Sequence, residues 1–121
     1  MDLGPSLREV GCFVAVADRL SFSRAAAELG MSQPAVSQAI ARLERALDLR
    51  LFDRSSRGVQ LTEAGKLLLP HAEALREDAS AFAAEATRLA SSAAERAIRL
   101  AYCPLVGTLA ARVVRRLSGR A

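Results

Sequence analysis

The sequence predicts a mainly α-helical protein: a winged helix-turn-helix followed by one long helix. Two observations carry this prediction. Between Phe22 and Thr62, two helix patterns flank a tight turn at Gly30, and a short basic hairpin pattern follows them. From residue 63 to residue 92, apolar residues then recur with the period of paired helices. The second helix of a helix-turn-helix fits the major groove of DNA, so this fold class indicates nucleic-acid binding.

The first predicted helix supports the other elements. Its apolar residues lie at helical spacing and form one stripe: Leu7, Val10, Phe13, Val14 and Ala17. Cys12 lies within this helix and Cys103 lies far along the chain, so the two cysteines lack metal-ligand spacing and are predicted to be reduced thiols. His71 is the single histidine and has no partner cluster. We therefore predict no catalytic site, no metal site and no cofactor.

The second helix is predicted to begin at Ser23 and to end at Leu29. Ser23 is a favourable N-cap residue, and Phe22 before it could pack against Ala27 as a hydrophobic staple. The alanines that follow favour a helix and let a neighbouring helix approach closely. Gly30 can adopt the left-handed backbone that ends a helix, so the turn is expected there.

The third helix, over about residues 33–46, has the features of a recognition helix. Ser32 is predicted to cap it, and Pro34 falls in its first turn, where a missing N–H costs little. One side carries an apolar stripe of Ala35, Val36, Ala39, Ile40, Leu43 and Leu47. The opposite face carries polar and basic side chains, namely Gln33, Ser37, Gln38, Arg42 and Arg45. Their forked donors and acceptors suit base edges and phosphates.

A hairpin, the wing, is predicted directly after the third helix. Residues 51–52 form its first strand, residues 55–58 its turn and residues 59–61 its return strand. Arg54 and Arg57 are then expected near the tip, where they would meet phosphates. Taken singly, either arginine is equally consistent with a solvated surface residue.

A long helix over residues 63–92 is the predicted dimerisation element. Its seam residues are spaced alternately four and three apart: Leu68, Ala72, Leu75, Ala79, Phe82, Ala86 and Leu89. An unbroken heptad seam is typical of paired helices; the alternative is a helix that lies on its own domain. Pro70 cannot donate to the carbonyl of Lys66, so we expect a bend there.

Residues 93–121 are predicted to hold a hinge and the first strand and helix of a truncated α/β domain. AIRLAYCP at 97–104 has a strand pattern, and LVGTLAARVVRRL at 105–117 has an amphipathic helix pattern. The formal net charge is +4, yet residues 97–121 hold five arginines and no acid. The basicity of the whole chain is therefore not evidence for the DNA site. Neither a signal peptide nor a membrane span is predicted.

The chain resembles the N-terminal DNA-binding domain of LysR-type transcriptional regulators. Three segments carry the resemblance in the same order: FVAVADRLSFSRAAAELGMSQPAVSQAIARLE, then LFDRSSRGVQLTEAG, then a long helix. The resemblance covers roughly residues 6–92 and implies a DNA-binding domain at 1–62, a linker helix at 63–92 and an effector-binding domain from 93. It implies a cytoplasmic homodimer on double-stranded promoter DNA, with a small-molecule effector bound by the full-length protein. It is compatible with a tetramer and with contact to RNA polymerase. By position, the implied DNA contacts are Ser23, Arg24, Gln33, Pro34, Ser37, Gln38, Arg42, Arg54, Arg57 and Thr62.

Two positions depart from the usual pattern of that family. Gln38 stands where many relatives have Arg, and Gln pairs best with adenine whereas Arg pairs best with guanine. Asp48 stands where relatives usually have Gly, and we predict that it takes the left-handed backbone at the end of the recognition helix. Two other function classes stay open: a winged-helix module for protein contacts, and a small enzyme, which the lack of a nucleophile–base–acid cluster disfavours.

Overall fold

The structure, a computed structural model, describes residues 4–101. Over this part of the chain it has four α-helices and one two-stranded antiparallel sheet. The elements follow in the order α1 (Leu7–Arg19), α2 (Phe22–Leu29), α3 (Gln33–Leu47), β1 (Phe52–Ser55), β2 (Gly58–Leu61) and α4 (Glu63–Ala101). The predicted winged helix-turn-helix with a long helix is confirmed. Cys103 and the helix predicted at 105–117 lie outside the described residues.

Helix α1 is capped at both ends by local interactions. The Ser6 hydroxyl accepts a hydrogen bond from the Glu9 N–H at 3.2 Å, and the Glu9 carboxylate accepts one from the Ser6 N–H at 3.0 Å. This reciprocal pair is a capping box. At the other end Leu20 takes a left-handed backbone (φ 49°), and its N–H donates to the carbonyl of Val16 at 2.6 Å. A leucine is strained in this conformation, because its Cβ crowds the following carbonyl.

The predicted N-cap of α2 is wrong, because Ser21 and not Ser23 caps the helix. Ser21 has an extended backbone, and its hydroxyl accepts a hydrogen bond from the Arg24 N–H at 3.2 Å. Either serine could cap a helix, so tertiary packing makes the choice. Starting the helix at Phe22 turns that ring into the core, where it is 6% exposed. Ala27, the predicted staple partner of the ring, is exposed to solvent.

The predicted ends of α3 are confirmed. Gly30 takes φ 66° and ends α2, and the Ser32 hydroxyl accepts a hydrogen bond from the Ala35 N–H at 3.2 Å. Pro34 lies in the first turn, as expected. At the other end Asp48 has φ 54° and ψ 42°, the left-handed conformation predicted for it. Short-range signals therefore define both ends of this helix.

The wing is a tight hairpin joined by a two-residue turn. Ser55 pairs with Gly58, so residues 56–57 form the turn. Gly58 has φ 98°, a conformation that side chains with a Cβ rarely adopt. Strand β1 begins at Phe52, one residue later than predicted, and continues to Ser55, so the turn is shorter than the predicted residues 55–58. Leu51, which precedes it, is fully buried and serves the core instead.

Phe52 joins the wing to the helices. It is one of the largest fully buried side chains among the described residues. Its ring makes edge-to-face contacts with Phe13 of α1, at 5.6 Å between centroids, and with Phe22 of α2, at 5.9 Å. Such pairs typically contribute about 0.5 to 1.5 kcal/mol beyond the burial of their area. The aromatic cluster therefore fixes the wing against the first two helices.

The start of α4 is held against the segment just before β1. The Thr62 hydroxyl donates to the carbonyl of Arg50 at 2.5 Å and accepts from the Gly65 N–H at 3.0 Å. The Thr62 N–H also donates to the carbonyl of Leu51 at 2.9 Å. Gly65 is buried there, and a Cβ at this position would lie 2.3 Å from the Leu51 carbonyl oxygen. Only glycine permits the two backbones to approach this closely.

Helix α4 is longer than predicted. It runs from Glu63 through Pro70 to Ala101, so the strand predicted from residue 97 is wrong over residues 97–101. A short apolar run cannot be assigned by its periodicity alone, and the alanines before it favour a helix. The remainder of that predicted strand lies outside the described residues. The chain divides into two units after Ala79, and α4 contributes residues to both.

Candidate nucleic-acid interface

The polar face of α3 is turned to solvent. Val36, Ala39, Ile40 and Leu43 are buried and hold the opposite side of the helix in the core. The predicted contact residues Gln33, Pro34, Gln38 and Arg42 are exposed, and Ser37 is half-buried. Because the apolar stripe is buried, the polar side chains on the opposite face point to solvent, where they could reach base edges in a groove of DNA.

Arginines from neighbouring segments line one flank of α3. A groove of about 580 Å³ lies between the second half of α3 and β1. Arg45, Arg50 and Arg54 line this groove, together with the carboxylates of Glu44 and Asp48. Arg50 was not predicted as a site residue, because its position depends on how the wing folds back beside the helix.

A smaller recess lies on the other flank of α3. It has a volume of about 210 Å³ and brings Gln38 and Arg42 next to the start of α1. Arg8 and Glu9 of α1 line the same recess. Arg8 was not predicted as a site residue either, because its helix is predicted only to support the other elements. Both flanks of the recognition helix thus carry guanidinium groups that could meet phosphates.

The first turn of α2 carries the predicted contacts Ser23 and Arg24. Both side chains are exposed. The Ser23 hydroxyl lies 3.3 Å from that of Ser21, the residue that caps the helix. No acidic residue lies in this first turn. The positive end of the helix dipole is therefore not offset by a carboxylate of its own helix.

The two wing arginines occupy different places. Arg57 lies in the exposed turn, as predicted. Arg54 lies in β1, opposite Val59 and one pair before the turn. Its guanidinium carbon lies 3.9 Å from the centroid of the Phe22 ring. Both arginines thus lie near the tip, but the register of the hairpin and the burial of Phe22 direct the side chain of Arg54 against α2.

Glu44 connects the recognition helix to the wing. Its carboxylate accepts hydrogen bonds from the N–H groups of Leu51, at 2.7 Å, and Phe52, at 3.4 Å. The interaction joins residues seven and eight positions apart across the end of α3. From the sequence, Glu44 was identified only as an acidic residue among the basic ones. No local spacing indicates that it bonds the backbone before the wing.

The structure gives Thr62 a structural role. Its hydroxyl donates to the Arg50 carbonyl and accepts from the Gly65 N–H, so both partners are within the protein. The seam of α4 is also divided. Leu68 and Ala72 pack against the core of the first unit, which is the alternative that the sequence left open. The other seam residues are exposed, apart from a half-buried Ala79: Leu75, Phe82, Ala86 and Leu89.

Comparison with known proteins identifies the family. The profile of the family described as "Bacterial regulatory helix-turn-helix protein, lysR family" matches residues 7–66. The crystal structure of the BenM_DBD/catB site 1 DNA complex is 35% identical with a TM-score of 0.66, over 71% of this chain and 97% of that chain. The chain belongs to the lysR family. A CbnR_DBD–DNA complex is similar as well, at 34% identity and a TM-score of 0.62, over 71% of this chain and 98% of that chain.

The longer relatives of this lysR-family chain are named as regulators. A "Probable hydrogen peroxide-inducible genes activator" of Mycobacterium xenopi is 44% identical over 83% of this chain and 52% of its own length. The "HTH-type transcriptional regulator ShiR" of Corynebacterium glutamicum is 47% identical over 74% of this chain and 30% of its own length. The chain thus spans about half the length of the first relative and less than a third of the second.

The matched structures indicate the ligand of the lysR-family domain. Two of them are complexes of such domains with DNA, and the matched part of this chain covers nearly all of those two chains. The chain therefore carries a lysR-type helix-turn-helix DNA-binding domain. Within residues 4–101, no group of three or more His, Cys, Asp or Glu side chains could hold a metal ion. None of the described helices is long and apolar enough to cross a membrane.

Proposed function

We propose that this chain regulates transcription by binding promoter DNA in a sequence-specific manner, and that it catalyses no reaction. The observation that carries the proposal is the solvent-facing polar surface of α3 with guanidinium groups along both flanks. A polar helix face suits base readout in the major groove, and flanking arginines suit the two phosphate backbones that border the groove.

Base readout is proposed for the exposed polar side chains of α3. Gln33, Ser37 and Gln38 read base edges, and Pro34 makes van der Waals contact beside them. Arg42 reaches a phosphate on the flank that faces α1. A glutamine can bond an adenine with both ends of its amide, so Gln38 favours an adenine in its half-site.

Phosphate contacts are proposed for the other basic and hydroxyl groups of the interface. Ser23 and Arg24 act from the first turn of α2, and Arg54 and Arg57 act from the wing. Thr62 acts indirectly, because its hydroxyl fastens the segment before the wing to α4. These contacts carry no sequence information, so their loss weakens binding to all duplexes alike.

Dimerisation is proposed through the exposed part of the α4 seam. Leu75, Ala79, Phe82, Ala86 and Leu89 continue the spacing of a paired helix, and Phe82 is 79% exposed in the single chain. An apolar side chain of this size gains most from a partner helix. Leu68 and Ala72 instead contribute to the core of the first unit.

The wider assembly rests on the family resemblance. We propose that residues 93–121 lead into an effector-binding domain that binds a small molecule in the full-length protein. Cytoplasmic location, tetramer formation from two dimers and contact with RNA polymerase are proposed on the same ground. The relatives named as regulators and activators support the regulatory role.

The test is a titration of DNA against protein at several salt concentrations. A preferred sequence is first selected from a pool of random duplexes, and its affinity is compared with that of mixed-sequence DNA. We expect both affinities to fall with salt, because bound arginines release counterions, while the preference remains. A chain that binds all duplexes equally weakly would contradict the proposal and favour a protein-contact module.

Gln38→Ala is the sharpest variant for this titration. It should weaken the selected duplex by about 1 to 3 kcal/mol and flatten discrimination at one base pair. Gln60→Ala is the matched control, since Gln60 is exposed on β2 and pairs with the acidic Asp53. An unchanged preference in Gln38→Ala would mean that α3 does not read the groove through this residue.

A further inference from the structure

We propose that Phe22 is a positioning residue for DNA binding, because its ring holds the guanidinium of Arg54 in place for a phosphate. The proposal rests on the function proposed above. It adds a role to a core aromatic residue that family resemblance and sequence pattern do not assign to the interface.

The stack between the two side chains is well defined. The guanidinium carbon of Arg54 lies 3.9 Å from the centroid of the Phe22 ring, well inside the range of about 6 Å for a cation–π contact. Because side chains alternate along a strand, Arg54 shares its face of β1 with the buried Phe52. That face is turned to the helices, so Arg54 lies over α2 and not beyond the hairpin.

The ring itself is held firmly. Ser21 caps α2 immediately before Phe22, and the edge-to-face contact with Phe52 fixes the ring from the wing side. A rigid platform restricts the rotamers of the arginine that lies on it. A guanidinium that is already ordered loses less conformational entropy when it binds, so it binds a phosphate more tightly.

The donors of Arg54 are not used within the described part of the protein. The ion pairs among residues 4–101 are Arg19–Glu28 and Glu85–Arg88, and neither includes Arg54. The ring covers one face of the guanidinium, while the N–H groups around its edge make no hydrogen bond to these residues. The exposed Arg24 lies nearby in the chain, two residues after Phe22, in a first turn without acids. Glu44 and Asp48 line the same groove as Arg54 but form no ion pair with it, so its N–H groups can bond a phosphate.

The experiment measures the salt dependence of binding to a labelled duplex of mixed sequence, roughly 40 base pairs or four helical turns long. The full 121-residue chain is used. Phe22→Met keeps most of the apolar volume and removes the ring face. Phe13→Met is the matched control, since Phe13 is also buried and also makes an edge-to-face contact with Phe52, with no arginine stacked on it among the described residues. Arg54→Ala reports the loss of the phosphate contact itself.

Three results are expected together. Arg54→Ala should reduce the slope of log affinity against log salt by about 0.9 per protomer, the value for one phosphate contact. Phe22→Met should move the slope in the same direction and weaken binding about two- to five-fold per protomer, the usual strength of an exposed cation–π contact. Phe22→Met should have no further effect in the Arg54→Ala background, and Phe13→Met should retain the parental slope.

The opposite results would overturn the inference. A parental slope in Phe22→Met, or an equal loss in Phe13→Met, would show that the ring serves only the core. A parent chain that binds no duplex would instead overturn the proposed function, and this inference with it. Should Phe22→Met fail to fold, NMR of the parent still decides. The δ protons of Arg54 should be shifted upfield by the ring current relative to those of Arg57, and unshifted resonances would overturn the stack.

Discussion

Among the glycines of the described residues, Gly65 is the one where an added methyl group would meet close neighbours. A Cβ there would lie 2.3 Å from the carbonyl oxygen of Leu51 and 2.9 Å from Cδ2 of Leu61. Close carbon–oxygen contacts normally lie at about 3.3 to 3.6 Å, so the two backbones must separate by about 1 Å. The same carbonyl accepts the hydrogen bond from the Thr62 N–H at 2.9 Å, which the separation would strain.

The cost of Gly65→Ala can be worked out from these contacts. Overpacking of this kind costs about 1 to 3 kcal/mol, and a weakened backbone hydrogen bond adds about 1 kcal/mol. Alanine favours a helix over glycine by about 1 kcal/mol, which offsets part of this. We expect a net loss of about 1 to 3 kcal/mol. For a unit of this size the melting temperature should fall by about 5 to 20 °C.

Gly11→Ala is the matched control for this substitution. Gly11 also lies within a helix, but a Cβ there would have no heavy atom within 4 Å. Alanine should therefore stabilise α1 by about 0.5 to 1 kcal/mol. Thermal melts followed by circular dichroism compare the two variants with the parent. If Gly65→Ala melted at or above the parent, the close approach of α4 to the segment before β1 would be refuted.

Three further perturbations test other parts of the structure. Asp48→Gly and Leu20→Gly should each raise the melting temperature, because glycine avoids the strain of a left-handed backbone, about 1 to 2 kcal/mol. The conformational entropy that glycine adds to the unfolded chain opposes this gain but is smaller than the strain. Asp48→Val should lower the melting temperature. Phe82→Glu should convert a dimer into a monomer in sedimentation, whereas Ala84→Glu, off the seam, should leave it intact. Burial raises the pKa of the Cys12 thiol above its ordinary value. The folded protein therefore holds this proton more tightly than the unfolded chain, and stability should fall as pH rises past about 8.5, the ordinary pKa of a thiol. Urea unfolding of the parent and Cys12→Ala between pH 7 and about 10 checks this, and equal pH dependence would contradict it.

The ends of α3 show what short-range signals can determine. Ser32 and Pro34 open the helix and Asp48 closes it, as the sequence predicts. Each of these signals acts through a residue's own backbone or through an N–H three positions away. The buried stripe follows from the helical period, and it fixes which side of the helix faces solvent. The polar face of the interface could therefore be predicted before any tertiary contact was known.

Tertiary structure decided the choices that local signals left equal. Ser21 and Ser23 can both cap a helix, and burial of Phe22 selects the first. A short apolar run beginning at residue 97 fits both a strand and a helix, and α4 continues through it to Ala101. In both cases the competing local structures differ by little, so packing determines the outcome.

The sequence by itself determined the fold class, the recognition helix and its exposed residues, because helical periodicity and capping are encoded within a few positions. Only the tertiary structure placed Arg54 on Phe22, Glu44 on the start of β1 and Gly65 against Leu51. The partners in these contacts lie between 7 and 32 positions apart in the chain. Contacts between distant residues depend on the register of the hairpin and on how the elements pack, and no periodic pattern records either.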